Sequence, residues 1–323
     1  MIRTIMGDIV PDQLGICDFH DHLIRSGGAE INITMDYLMD SLHAAAEELD
    51  DFIHAGGGAM VCMDPIGCGR DVAKMLELAK MFAGRAHLIM CTGFHKGTLY
   101  DQRHHWLMTS REEQAVDLIA AEIETGMDIH SYNGPIVERV EAKAGIIKAG
   151  ASYQAILPFE QKALRIAALV QRRTGAPISV HTQQGTMGSE IIAILRKADA
   201  NLEKVVLCHV QRIPDFHYLA SLMDMGANLS FDGIDRPEWG TDEILAKLIF
   251  RLIEAGYGEK IVLAMDAGRN TFQKGYMQEK DQVAKGISYL LTSFVPLLFS
   301  LGLAQPAVDR LLVHNPRRIL DIR

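Results

Sequence analysis

GICDFHDHLI, residues 15–24, is an apolar run that ends in two histidines one residue apart, His20 and His22. A bounding glycine, a short length and an abrupt change to polar residues read as a buried strand running into a loop. Seven further runs share that form: GAMVCMDP (58–65), HLIMCTGF (87–94), AGIIKAG (144–150), PISVHT (177–182), KVVLCHV (204–210), ANLSFDG (227–233) and KIVLAMDAG (260–268). Between them lie longer stretches with helical spacing, among them residues 35–56, 71–84, 111–126 and 241–256, and several stop at a glycine. Eight strand–helix units in 323 residues fit an α/β chain folded as a (β/α)8 TIM barrel better than a doubly wound sheet. No low-complexity tract, linker or charge block divides the chain. Residues 1–323 are therefore expected to form a single barrel domain, with AVDRLLVHNPRRIL (307–320) as an extra terminal helix.

Composition narrows the function classes. The chain is 48% hydrophobic, enough for a sizeable core, and its net charge of −9 argues against a general nucleic-acid binder. The five cysteines form no CxxC pair, and four lie in or beside strand-like runs, which reads as buried thiols in a reducing, cytoplasmic setting. MIRTIMGDIV lacks the apolar core of a signal peptide. The most apolar later run, residues 287–304, holds a proline and reads as a buried helix rather than a membrane span.

In parallel barrels the chemistry gathers where strands end. Those ends carry His20 and His22 (first strand), Lys148 (fourth), His181 (fifth), His209 (sixth) and Asp266 (eighth); Asp64, His95-Lys96 and Asp232 end the second, third and seventh. Positions i and i+2 of a strand share a face, so His20 and His22 are expected to project together into the barrel mouth. A lone HxH is a weak signal, and a single core histidine is ordinarily a hydrogen-bonded packing residue. Four histidines and an aspartate at strand ends together point to bound metal. Lys148 lies in an apolar strand, where charge is costly. It is either a structural lysine paired with a carboxylate, or an amine able to take up carbon dioxide as a carbamate that bridges two metals; spacing alone does not choose. His95 reads as packing, and His43, His54, His104, His105 and His217 as surface or packing residues. EELDD (47–51) reads as a solvated helix face. No GxSxG nucleophile motif is present.

At these residues the chain resembles the phosphotriesterase family of the amidohydrolase superfamily. The likeness runs from TIMGDIVPDQLGICDFHDHL (4–23) through PIGCGRD (65–71), AGIIKAG, VHT, LCHVQRIPD (207–215) and AMDAGR (264–269) to NPRRIL (315–320). The resemblance implies a binuclear-metal-dependent hydrolase. His20, His22 and Asp266 would hold the more buried metal, His181 and His209 the more exposed one, and carbamylated Lys148 would bridge them. Zinc is the expected metal, with manganese or cobalt possible. A hydroxide shared by the two cations would attack, and Asp266 would serve as the catalytic proton carrier. A homodimer is suggested in the same way.

Within the family the segments CTGFHKGTLY (91–100), 127–150 and VHTQQGTMG (180–188) are similar to the branch acting on phosphorylated sugar lactones. The loops after the seventh and eighth strands supply Arg236, Arg269 and Lys274, and the loop after the third supplies Lys96 and Tyr100 as further substrate contacts. Arginine binds phosphate through two parallel donors, which suits this branch. Around Arg236, however, FDGIDRPEWG is less basic than the branch pattern, and Trp239 could instead stack on a sugar or apolar ligand. The expected function is a lactonase opening phosphorylated sugar lactones, a small-molecule reaction without nucleic-acid or membrane partners. The alternative is a phosphotriester or other phosphoester hydrolase using the same metals. A third reading, a non-catalytic binding barrel, would predict a lost ligand position, and every position is filled.

Overall fold

The barrel strands are buried on both faces, and their alternation shows in which of two clusters successive side chains join. A computed structural model describes residues 1–322. A short antiparallel hairpin, β1 (Ile2–Thr4) and β2 (Gly7–Ile9), precedes the barrel and had no counterpart among the apolar runs. The eight runs become eight parallel strands: β3 (Cys17–Asp21), β4 (Ala59–Cys62), β5 (His87–Gly93), β6 (Ile146–Ala151), β7 (Ile178–Thr182), β8 (Val205–Cys208), β9 (Asn228–Phe231) and β10 (Ile261–Leu263). They pair in sequence order from β3 to β10, the arrangement of a (β/α)8 TIM barrel. Phe19, Val61, Cys91, Ile146, Val206 and Val262 fill one inner cluster, while Met60, Leu88, Ile147, Val180, Leu207 and Leu263 pack outward into the helical layer.

The seam between first and last strand is made by specific polar groups. Asp266 donates its backbone N–H to His20 O (3.0 Å). The carboxylates of Asp18 and Asp21 accept the N–H groups of Met265 and Ala267, each at 3.0 Å. Closure thus fixes the ends of β3 and β10 side by side, and with them His20, His22 and Asp266.

Helices Leu42–His54, Val72–Met81, Glu112–Glu124, Pro158–Thr174, Gly188–Lys197, Phe216–Asp224 and Asp242–Glu254 follow β3 to β9. Side chains of Ser41, Asp71, Asp215 and Thr241 cap four of them by accepting a backbone N–H. The apolar run 287–304 is helical over Leu290–Ser300, and no helix of the described residues is long and apolar enough to cross a membrane. The chain end is the expected helix, over 305–320. Both late helices widen by one π-type turn just before Pro296 and Pro316, because proline brings no N–H and crowds the carbonyl four residues back. The EELDD segment departs from its solvated reading: Glu48 is fully buried, accepting from the N–H groups of Gly275 and Ile287, and so staples its helix to the segment after β10.

Candidate active site

β3 is not a regular strand to its end. Its pairing with β4 shifts register between Asp18 and Asp21, and His22 lies just past the strand. The two imidazoles still converge, with ring centroids 5.6 Å apart, because Asp266 gathers them. Its Oδ1 stands 3.7 Å from His20 Nε2 and 3.5 Å from His22 Nε2. Asp266 itself has φ +51°, and His209, just past β8, has φ +64°. Both are left-handed, an uncommon backbone state for such residues that recurs where side chains are aimed into a site. The rings of His209 and His20 are 5.0 Å apart, those of His209 and His181 4.6 Å, and those of His181 and His95 4.4 Å.

Carboxylates behind the imidazoles fix their orientation. Asp64 Oδ1 lies 2.9 Å from His22 Nδ1 and accepts from Arg25 Nε at 2.7 Å. Asp232 Oδ1 lies 2.6 Å from His209 Nδ1. A proton on Nδ1 leaves each Nε2 lone pair free, the usual arrangement behind a metal-binding histidine. Burial, with Lys148 adding to it, holds His20 well below the usual imidazole range; burial does the same for His181, with His95 and His209 adding. For His22 burial is again the largest effect and acts downward, but Asp64 and Asp266 together turn the net shift upward. Burial would raise Asp266, yet His209, His22 and His20 hold it well below the carboxylate range.

The donor set fits a divalent cation. Ligand atoms of His20, His22 and Asp266 lie within 4.8 Å of one another, as do those of His20, His209 and Asp232. His20 Nδ1 and His181 Nε2 are buried without a hydrogen-bond partner, each a lone pair or N–H awaiting one. Lys148 is 1% exposed on β6, and its Nζ meets only His20 Nε2, at 3.3 Å. Among the described residues no carboxylate pairs with it, so the structural ion pair weighed from sequence is not there.

A cleft of about 350 Å³ opens above this cluster. Of the residues expected to touch substrate, Lys96, Arg236 and Arg269 line it, and Trp239 does too. Burial lowers the pKa of both Lys96 and Arg236. Arg236 is steadied by the carbonyls of Ile234 and Asp266 and lies 3.5 Å over the Phe272 ring. Two expected contacts sit elsewhere. Lys274 Nζ is bound to Asp51 Oδ2 (2.6 Å) and Ser288 Oγ (2.9 Å), away from the cleft. Tyr100 lies under the His95 loop, stacked on Phe159 at 4.7 Å; its OH donates to Ile66 O and accepts from His95 N–H. His95, read as packing, lines the cleft. The sequence reading passed over Arg25, Glu30, Tyr37 and Arg212, which line it as well. Arg212 was within reach of a sequence argument. It follows His209 by three residues, and the 3-10 turn Val210–Arg212 brings its Nη2 to 3.7 Å from Asp266 Oδ2.

Comparisons with known proteins agree with this geometry. The chain is 43% identical over 320 residues to a phospho-furanose lactonase of Mycoplasmopsis agalactiae, covering 99% of this chain and 91% of that protein. The crystal structure of an amidohydrolase from Mycoplasma synoviae superposes with a TM-score of 0.98 at 42% identity, over 100% of this chain and 92% of that one. A lactonase from Listeria monocytogenes superposes with a TM-score of 0.90 at 26% identity, over 100% and 99% of the two chains. The Phosphotriesterase family profile matches residues 1–320, and the chain belongs to that family of hydrolytic enzymes.

Proposed function

We propose that this protein is a metal-dependent lactonase that opens phosphorylated sugar lactones. One arrangement carries the reading: a histidine–aspartate cluster at the floor of a cleft whose walls hold Lys96, Arg212, Arg236 and Arg269. His20, His22 and Asp266 would hold one divalent ion, His181 and His209 a second, and Lys148 as a carbamate would bridge them. Zinc, with manganese or cobalt as substitutes, suits this mix of nitrogen and oxygen donors. Two such ions, when bound, would supply an activated water and a polarised lactone carbonyl.

The chain's own groups do the rest. Asp266, an acceptor at the cluster's edge, takes the proton of the attacking water and returns it to the ring oxygen as the C–O bond breaks. Asp64 and Asp232 hold His22 and His209 in the tautomer that leaves Nε2 free. Arg236 and Arg269 face the cleft as phosphate donors, and Lys96 adds a point charge. The lactonases among the relatives support the ester-type bond. A neutral phosphotriester would gain little from these cations, which weighs against the phosphotriester alternative.

The test is a pH-indicator hydrolysis assay on zinc- or manganese-loaded protein. The panel holds aldonolactones with and without a terminal phosphate, and one activated phosphotriester. Strong preference for phosphorylated lactones is expected. Activity confined to the triester or to plain lactones would remove the phosphate assignment and leave the metal cluster standing.

A further inference from the structure

Glu30 has no part in the chemistry above, yet it lines the same cleft, in the short turn Ala29–Asn32 after β3. It is 7% exposed. Its Oε2 is shut off from solvent beside Arg25, and neither carboxylate oxygen accepts a hydrogen bond from the described residues, which leaves Oε1 as the oxygen a ligand in the cleft can reach. The closest cation, Arg25 Nε, is 3.7 Å away, beyond hydrogen-bonding distance. Nor is Arg25 free to turn toward it. Its Nε donates to Asp64 (2.7 Å) and its Nη1 to Gly268 O (3.0 Å). Glu30 is therefore a buried carboxylate in a binding cleft with no donor from the protein.

A buried acceptor without a donor is unfavourable, and buried polar groups in native proteins are as a rule satisfied. An ionised carboxylate only accepts, so a ligand that meets Oε1 from the cleft must bring an O–H or N–H. A phosphate dianion is repelled there, and a phosphotriester carries no donor. A sugar ring carries several.

We propose that Glu30 is a specificity-determining residue that accepts a hydrogen bond from a ring hydroxyl of the substrate, so that the enzyme selects hydroxylated over deoxygenated lactones. This rests on the lactonase reading, and it adds a second recognition point beside the phosphate cations. A site built to bond a hydroxyl discriminates strongly against the analogue that lacks it.

The test compares the D-pentono-1,4-lactone 5-phosphates with their 2,3-dideoxy counterpart on wild type, Glu30→Leu and Glu30→Gln. The ratio of kcat/KM for the best hydroxylated member to that for the dideoxy lactone is the readout, since it is unaffected by any inactive fraction. Wild type should favour the hydroxylated lactone by about 10- to 100-fold. Glu30→Leu should bring the ratio close to one, and Glu30→Gln, which keeps one acceptor, should fall between. An unchanged ratio in Glu30→Leu, or no preference in wild type, overturns the proposal.

Calorimetric binding of the ring-opened acid products separates the two ideas. If wild type opens none of these lactones, the lactonase reading fails. Glu30 is then judged on binding alone. Tighter binding of a hydroxylated product, lost in Glu30→Leu, sustains its role; equal or absent binding rejects it.

Discussion

Asp232 offers the sharpest test of how the cluster is held. Its carboxylate is fully buried and its acceptor sites are in use. Oδ1 takes His209 Nδ1 at 2.6 Å and Gln211 Nε2 at 3.1 Å, while Oδ2 takes the His209 backbone N–H at 3.1 Å. Asp232→Asn keeps the shape but turns one oxygen into an NH2. With the oxygen left toward Nδ1, the new NH2 faces the His209 N–H, donor against donor; flipped, it faces Nδ1. Either way one charge-assisted bond is lost, worth roughly 1.5–3 kcal/mol, or about 10- to 100-fold. Loss of a carboxylate behind a metal-binding histidine falls in the same range. The left-handed His209 backbone leans on that same N–H bond, so in either orientation His209 keeps only one of its two anchors. The assay is competition for zinc against a chromophoric chelator, with lactone hydrolysis alongside and thermal unfolding to confirm the fold. Metal affinity and activity should fall together by that factor. Values within twofold of wild type would refute the orienting role. Outright loss of one metal equivalent would refute it in the other direction, making Asp232 a ligand.

Three further outcomes are expected. Lys148→Met should abolish hydrolysis while the melting temperature of the metal-free protein holds or rises, because it removes a buried amine that no carboxylate pairs; a marked fall in that metal-free melting temperature would point to a structural lysine instead. Arg269→Ala should raise KM chiefly for phosphorylated lactones, whereas Lys274→Ala should leave KM alone and cost about 1 kcal/mol, since it breaks a half-exposed pair with Asp51 and a bond to Ser288; equal KM effects would return Lys274 to the site. Glu122→Gln should lower stability to urea by about 3–5 kcal/mol, because Glu122 and Arg70 form a two-bond ion pair with both side chains fully buried.

The parts of the site legible in the sequence are those tied to strands. A parallel strand buried on both sides shows as an apolar run, so a polar residue at its end stands out, and barrel topology sends all such ends to one rim. His181, Lys148 and Asp266 were readable for that reason. His20 and His22 were readable as a pair although the argument from strand periodicity was incomplete: β3 bulges before His22, and the pair converges through the β3–β10 seam and Asp266. Asp64 and Asp232 were visible at strand ends, but their place behind the histidines depends on angles that spacing does not carry.

The loops were legible only as inventories of charge, because a long cationic side chain goes where an anion meets it. Lys274 and Arg269 lie five residues apart in one loop, and nothing in DAGRNTFQKGY separates them. What separates them is Asp51, on a helix far away in sequence, which captures Lys274, while Arg269 rests on Tyr37 in the loop after β3. The same helix explains Glu48. Read alone, EELDD is a charged face; packed against the segment after β10, its second glutamate meets two backbone N–H groups and is buried. Glu30 is the reverse case, a carboxylate carried inward with no protein donor waiting. Identical residue types thus become a staple, an ion pair or, as proposed for Glu30, a substrate contact according to partners supplied by other loops. For this barrel the proposed metal-site residues can be argued from strand order, while the proposed substrate contacts rest on loop–loop contacts that only the folded chain displays.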